Sequence, residues 1–591
     1  MIDRDIHLAR ALLIESNPLL RSVGAAQLRD TGVGHVTQAA RVKDARLLLE
    51  RERFDIVLCN REFEGSDYSG QDLLDELRRE RLLPHSTVFL MVTAQASYIQ
   101  VMEAAESALD GFLVRPYTAA ALGARLLEAR NRKRELGDVL RALDAGENET
   151  ALVRAVKRFQ EKAPYWVYCG RLAAELLLTM ERPADASKLF ERLSQQFPDA
   201  TWARLGLARA LLALGDNGAA RKTVAAALAN DAGSADAHDL MGRLLVEQCD
   251  FDGALGEYRT AAELTPGCLL RAQHAGALAF YQGQADEALK WLERTLGMGV
   301  QSKLFDALTL LLLAVLRFDR GDAGGVAALR EQLRRYRERW PDTGRLRRLE
   351  QIADTLGSLM SAQPEAALPA LRELAARVKD DDFDLEAANL VLGLWARVPA
   401  QVRPAADHEA LLEHAAMRFC VSKAIGEALV ASAQRAEVAT TAVRACQARL
   451  LAVTEQAMER SMQGDPAAAV AMLLEQGELT LNAKLLEMAA LLTRRHAAAM
   501  PDAEALATRA LALLRRSAHS GGHIAGIQRS GRSPGGLQLR GAAAADTAPA
   551  AAATVPAAAG APEVAKDPAA PPPAASVAAS RAAIAAANAA A

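Results

Sequence analysis

The sequence predicts an α/β domain with a doubly wound, five-stranded parallel sheet, followed by an all-α solenoid and a disordered tail. Three observations point there. Over residues 1–125, short β-rich apolar runs alternate with amphipathic helical stretches, the rhythm of a parallel sheet covered by helices on both faces. From Ala174 to Leu292, small and bulky residues recur at 34-residue intervals, the mark of stacked helix pairs. After Ser517 large apolar side chains almost disappear.

Composition sets the outer bounds. At 591 residues the chain is too long for one ordinary domain. Its residues are 51% apolar but only 4% aromatic, which suits helices packed through Ala and Leu. Seventy Lys and Arg oppose 73 Asp and Glu, so no net charge draws the chain toward nucleic acid, and no nucleic-acid partner is expected. Cys59, Cys169, Cys249, Cys268, Cys420 and Cys446 include no CxxC pair, which argues for buried reduced thiols rather than disulfides or a zinc site. The start, Met1-Ile2-Asp3-Arg4-Asp5, lacks the basic-then-apolar pattern of a signal peptide. The longest apolar run, Leu304 to Leu316, is interrupted by Asp306 and is too short to cross a bilayer. A cytoplasmic protein without membrane insertion is expected.

In the first domain the strands are expected near Ala11–Ile14, His35–Gln38, Ile56–Cys59, Val88–Val92 and Phe112–Val114. Function in such sheets gathers at the carboxyl ends of the strands, where Glu15, Ser16, Asn60, Thr93 and Arg115 fall.

The runs Ala11-Leu12-Leu13-Ile14-Glu15-Ser16, Phe54-Asp55-Ile56-Val57-Leu58-Cys59-Asn60, Val88-Phe89-Leu90-Met91-Val92-Thr93-Ala94 and Asp110-Gly111-Phe112-Leu113-Val114-Arg115-Pro116 resemble, in order and spacing, the response-regulator receiver family. In that family three carboxylates after the first and third strands hold Mg2+, and one accepts a phosphoryl group whose oxygens are bound by a Thr and a Lys. The resemblance implies that Glu15 and Ser16 stand at the acidic pair, Asn60 at the acceptor, Thr93 at the hydroxyl, Arg115 at the cation and Phe112 at the switch aromatic. Two of the three anionic charges are then missing. Mg2+ depends on carboxylate oxygens, so its binding is expected to be lost, with no other cofactor implied. Arg115 is expected to pair with Glu15 and partly replace the metal. The expected state is a pseudo-receiver; a working phosphorelay regulator would need another acceptor, such as Glu62 or Asp67. The loop Arg61 to Ser69, with Gln71 to Arg78 and Ser86 to Thr93, resembles a receiver subgroup joined to tetratricopeptide repeats. A receiver-mediated dimer or partner surface is expected near Ser97 to Pro116.

A charged helical connector is expected over residues 126–160 and the repeats over 161–300. Ala186, Ala220, Ala254 and Ala288 recur every 34 residues; twelve before each stand Ala174, Ala208, Gly242 and Gly276, and four after each stand Phe190, Val224, Tyr258 and Leu292. Small residues let paired helices approach, and the bulky position fills the gap. This pattern resembles the tetratricopeptide repeat, whose first helices line a concave groove for a protein partner. The register implies a groove containing Tyr168, Arg171, Trp202, Arg209, Arg243, Gln273, Phe280 and Tyr281, fitted to an acidic or amphipathic segment.

Residues 301–516 continue with helical periodicity but no clean register, as diverged repeats or a helical cap, and 517–591 are expected to be a disordered Ala/Pro-rich tail. Several motifs fail on spacing. His408 and His414 are six residues apart and point to different helix faces, unlike a zinc-protease pair. Asp380-Asp381-Asp382-Phe383-Asp384 lacks the glycine and final glutamate of a calcium loop. The arginines from Arg330 to Arg348 are expected to form a solvated basic face. With no phosphate loop and no nucleophile elbow, the chain is expected to be a non-catalytic signalling adaptor; a constitutive scaffold of a motility or secretion assembly is the structural alternative.

Overall fold

The computed structural model describes residues 5–63, 70, 73–74, 77, 82–93, 110–300, 305–339, 343–360, 364–434 and 436–517. The expected tail, Asp67, and residues 97–109 of the expected docking surface lie outside these.

Strands β1 (Arg10–Ile14), β2 (His35–Ala39), β3 (Ile56–Asn60), β4 (Val88–Thr93) and β5 (Gly111–Val114) form one sheet in the order β2-β1-β3-β4-β5, with every neighbouring pair parallel. Each matches its expected run to within one residue at either end. Alternation sends Ala11, Leu13, Ile56, Leu58, Val88 and Leu90 to one face, beneath α1 (Pro18–Asp30) and α3 (Ala119–Glu135). Leu12, Ile14, Val57, Cys59, Phe89 and Met91 go to the other, beneath α2 (Val42–Arg51) and residues Leu73, Leu74 and Leu77. Burial on both faces is why these strands read as unbroken apolar runs. Asn17 caps α1, accepting from the Leu19 and Leu20 N–H groups, and Pro18 occupies the first turn, where a missing N–H costs nothing.

The boundary expected at residue 125 falls inside α3. Leu122, Leu126 and Ala129 on one stripe of that helix complete the sheet's core, so the domain runs on to Glu135. The expected connector is also corrected. Helices α4 (Gly137–Asp144) and α5 (Asn148–Gln160) bury Leu140, Leu152 and Phe159 in one core with α6 (Trp166–Thr179), α7 (Pro183–Gln196) and α8 (Thr201–Ala213), so they open the helical stack. Helix α9 (Asn217–Asn230) packs on α8.

Two compact units divide the described residues between Leu240 and Met241, within α10 (Ala235–Glu247). The second holds α11 (Phe251–Leu264), α12 (Leu269–Tyr281), α13 (Ala285–Gly299), α14 (Leu308–Asp319), α15 (Ala323–Arg339), α16 (Gly344–Leu359), α17 (Leu368–Ala376), α18 (Leu385–Arg397), α19 (Ala405–Phe419), α20 (Lys423–Ser432), α21 (Glu437–Met462), α22 (Pro466–Thr480), α23 (Ala483–Arg495) and α24 (Ala503–Ser517). The repeat register has a steric cause: a Cβ on Gly242 would lie 3.0 Å from the Tyr258 ring, and one on Gly276 would lie 2.8 Å from the Leu292 side chain.

Three side chains expected to line an open groove are instead buried. Arg209 forks onto Glu175, with Nη1 to Oε2 at 2.9 Å and Nη2 to Oε1 at 2.5 Å. Gln273 donates to the Thr309 hydroxyl at 3.4 Å, and Tyr281 is 7% exposed, its phenol pushed upward by burial and by Glu386 and Asp384. The arginine cluster is a solvated face only in part: Arg334, Arg335, Arg339 and Arg347 are exposed, while the others are drawn into ion pairs. Arg330 pairs with Asp354, Arg337 with Glu350, Arg345 with both Asp306 and Glu386, and Arg348 with Asp382, knitting neighbouring helices together. Asp384 serves as the N-cap of α18, accepting from the Ala387 N–H at 2.8 Å.

Among the described residues, no helix is long and apolar enough to cross a membrane, and no group of His, Cys, Asp or Glu side chains is gathered to hold a metal ion.

Candidate functional site

Strand β1 has β2 on one side and β3 on the other, so the chain leaves β1 and β3 in opposite directions. A crevice therefore opens at their carboxyl ends. Glu15 follows β1, Asn60 ends β3, Thr93 ends β4 and Arg115 follows β5.

Glu15 is 1% exposed and organises the site. One carboxylate oxygen is ion-paired with the Arg115 guanidinium. The other accepts the Asn17 N–H at 2.9 Å and faces the Asn60 amide nitrogen at 3.4 Å. The Asn60 amide also donates to the Glu62 carbonyl at 2.6 Å, which folds the following loop back over the strand end. Gly70 belongs to that return: a Cβ there would sit 2.3 Å from the Asn60 carbonyl oxygen. Arg21, reaching back from α1, donates to the Glu15 and Ser16 carbonyls at 2.7 and 3.0 Å and pins the β1–α1 loop.

The structure thus brings Glu15, Asn60 and Arg115 into direct contact. Thr93 is buried, and its carbonyl accepts the Arg115 N–H at 2.9 Å, which sets where the guanidinium starts. Ser16 is half-buried, its carbonyl held by Arg21. Phe112 is half-buried against the core on the α2 side of the sheet. Beneath the crevice, the Cys59 thiol donates to the Asn60 carbonyl at 3.2 Å and is pushed well above its ordinary range, first by burial and then by Glu15. Tyr117 is likewise raised, chiefly by burial, with Arg115 opposing. Sequence reasoning missed Asn17 and Arg21. The N-cap position of Asn17 was legible, but nothing local announces that Arg21 will turn toward the loop.

The comparisons with known proteins concern the fold and the family. The response regulator receiver domain family matches residues 11–127. Chemotaxis protein CheY-3 of Vibrio cholerae serotype O1 is 32% identical over 117 residues, covering 20% of this chain and 88% of that protein. This chain belongs to the response regulator receiver family. Chemotaxis protein CheY of Pseudomonas aeruginosa is also 32% identical, over 113 residues, covering 19% of this chain and 89% of that relative. The solved chemotaxis response regulator CheY4 of Vibrio cholerae is 22% identical, covering 20% of this chain and 98% of its own, with a TM-score of 0.19. The tetratricopeptide repeat family matches residues 177–244. The receiver and the repeats together make this a two-component-type signalling protein with a helical-repeat region.

Proposed function

We propose that this receiver takes no phosphoryl group, and that the protein is a non-catalytic cytoplasmic adaptor that binds another protein through its helical repeats. The observation that carries this is the Glu15 carboxylate, which is held by Arg115 and faced by the Asn60 amide. Phosphoryl transfer to a side chain needs an anionic or activated nucleophile, and a carboxamide is neither. Mg2+ does not fit this donor set, because it favours carboxylate oxygens, and here one carboxylate is shared among a guanidinium, a backbone N–H and an amide. The ion pair supplies from within the chain the positive charge that a metal would bring, and it favours a single arrangement of the loops around it.

Contacts within the first unit support a receiver that also caps the helices. Arg132 and Lys133 of α3 pair with Asp110 at the foot of β5, at 2.6 and 3.0 Å. Asp144 of α4 accepts the His85 N–H at 3.0 Å, just before β4. For the partner surface, the support comes from the half-buried Tyr168, Arg171 and Trp202, with the Arg171 guanidinium 4.9 Å above the Trp202 ring. In the second unit the half-buried Arg243 and Phe280 remain candidates of the same kind.

Intact-mass analysis of the full chain after exposure to acetyl phosphate and Mg2+ tests the receiver. An unchanged mass is expected; a gain of one phosphoryl group on residues 1–135 overturns the reading. Capture of partners by wild type and by the R171A/W202A variant tests the repeats, with loss expected in the variant.

A further inference from the structure

We propose that the second unit holds a binding site for a small neutral amide, in a cavity of about 290 Å³ formed by α12, α14, α18 and α20. Phe280, Tyr281, Val315, Leu316 and Leu390 give the cavity an apolar wall. Its volume lies at the lower end of the range for small-molecule pockets.

The polar feature is Asn389, 2% exposed on the cavity wall. Its Oδ1 lies 3.0 Å from the Ser432 hydroxyl, and its Nδ2 has no partner. Ser432 has one proton to give and also reaches the Ala428 carbonyl at 2.9 Å. Exchanging the two ends of the carboxamide would only move the shortfall from N–H to C=O, so one end of Asn389 stays unmatched in either orientation. A buried group of this kind is an exception that a ligand can complete.

Charge selects the ligand class. Arg397 on the wall is neutralised by a two-point pairing with Asp319, at 2.7 and 2.6 Å, and also donates to the Gly393 carbonyl at 2.9 Å. With that pair closed, no charge on the wall is left to offset the desolvation of a free ammonium or a carboxylate. The C-terminal turns of α12, α14 and α20 meet here with the N-terminal turn of α13, so the partial charges of the helix ends oppose one another. What complements a carboxamide edge in such surroundings is another amide, offering N–H and C=O side by side on a compact apolar body.

Full-length protein titrated with benzamide, benzoate and benzylamine, followed by ligand-observed NMR, tests this. Benzamide is expected to saturate below about 10 mM, as suits so small a ligand, with the other two at least about tenfold weaker. Asn389→Leu is expected to weaken benzamide by about tenfold or more. Gly393→Val, which fills the cavity while keeping Asn389, is expected to abolish binding and serves if the first variant does not fold. Benzoate or benzylamine binding as well as benzamide, absence of saturation by benzamide, or undiminished binding in a folded variant overturns the proposal.

Discussion

The Asn60 carboxamide nitrogen lies 3.4 Å from Glu15 Oε1, while Arg115 holds Oε2 of the same carboxylate. The side chain in the acceptor position is thus a hydrogen-bond donor to the remaining acid. An aspartate there would reverse that polarity and place two carboxylates side by side.

The Glu15 side chain is 2% exposed and that of Arg115 is 21% exposed, so removing one partner leaves a buried charge. Arg115→Met is expected to destabilise the receiver domain by about 3–5 kcal/mol, and E15L/R115M is expected to recover most of that. Hydrogen exchange of the β1 and β3 amides reads the local loss; a single variant within about 1 kcal/mol of wild type would show that the pair carries little.

Restoring the acceptor alone should not restore chemistry. Asn60→Asp removes the N–H that the Glu62 carbonyl accepts at 2.6 Å and adds a charge beside Glu15, a loss of about 1–3 kcal/mol. Intact mass after acetyl phosphate and Mg2+ is expected to stay unchanged in N60D. It is expected to rise by one phosphoryl group in S16D/N60D/R115K, where the anionic donors return and the guanidinium is gone.

A Cβ on Gly206 would come within 2.2 Å of the Phe190 ring, which is fully buried and has nowhere to move. Gly206→Val is expected to cost about 1–3 kcal/mol, and F190L in the same chain to return part of it. Thermal unfolding followed by circular dichroism measures both, and an unchanged midpoint in G206V would contradict the close helix approach.

Burying Arg209 against Glu175 changes what its mutation reports. Arg209→Ala strands a carboxylate that is 5% exposed, so a loss of about 3–5 kcal/mol is expected. Denaturation curves of R209A and of E175M/R209M separate the two roles: recovery in the double variant marks a packing pair, and loss of partner capture with full stability marks a groove residue.

His408 stacks on Trp395 at 6.4 Å between ring centroids, and its imidazole is held below its ordinary value of 6.5, first by burial and then by Arg403, with Glu409 opposing. A histidine kept neutral in the fold binds fewer protons than in the unfolded chain. Stability should therefore be full above about pH 6.5 and fall as pH drops from there through the lower folded value. The slope of thermal midpoint between pH 7 and 5 is expected to flatten in H408F; an equal slope would remove His408 from the account.

Much of the fold was legible because it is written locally. Strands buried on both faces must be apolar throughout, so β1, β3 and β4 stood out as short runs bounded by polar residues. Asn17 and Pro18 are an equally local start signal for α1, one that sequence reasoning passed over. The limits of the domains were less legible. Leu122, Leu126 and Ala129 give α3 an apolar stripe, but the stripe does not say which core it will enter. The groove failed for a related reason: helical register assigned Arg209 and Tyr281 to a face, yet whether that face meets water depends on what else folds against it.

By itself the sequence determined the strands, the repeat period and the absence of a carboxylate at position 60, since each is a matter of residue identity or short-range periodicity. The pairing of Arg115 with Glu15, 100 residues apart, was expected only because the resemblance set both at neighbouring strand ends; that Arg209 reaches Glu175 across 34 residues was decided by the tertiary structure alone. Charge has no period to betray its partner, so ionic pairing is chosen by packing, after the apolar pattern has already placed the backbone.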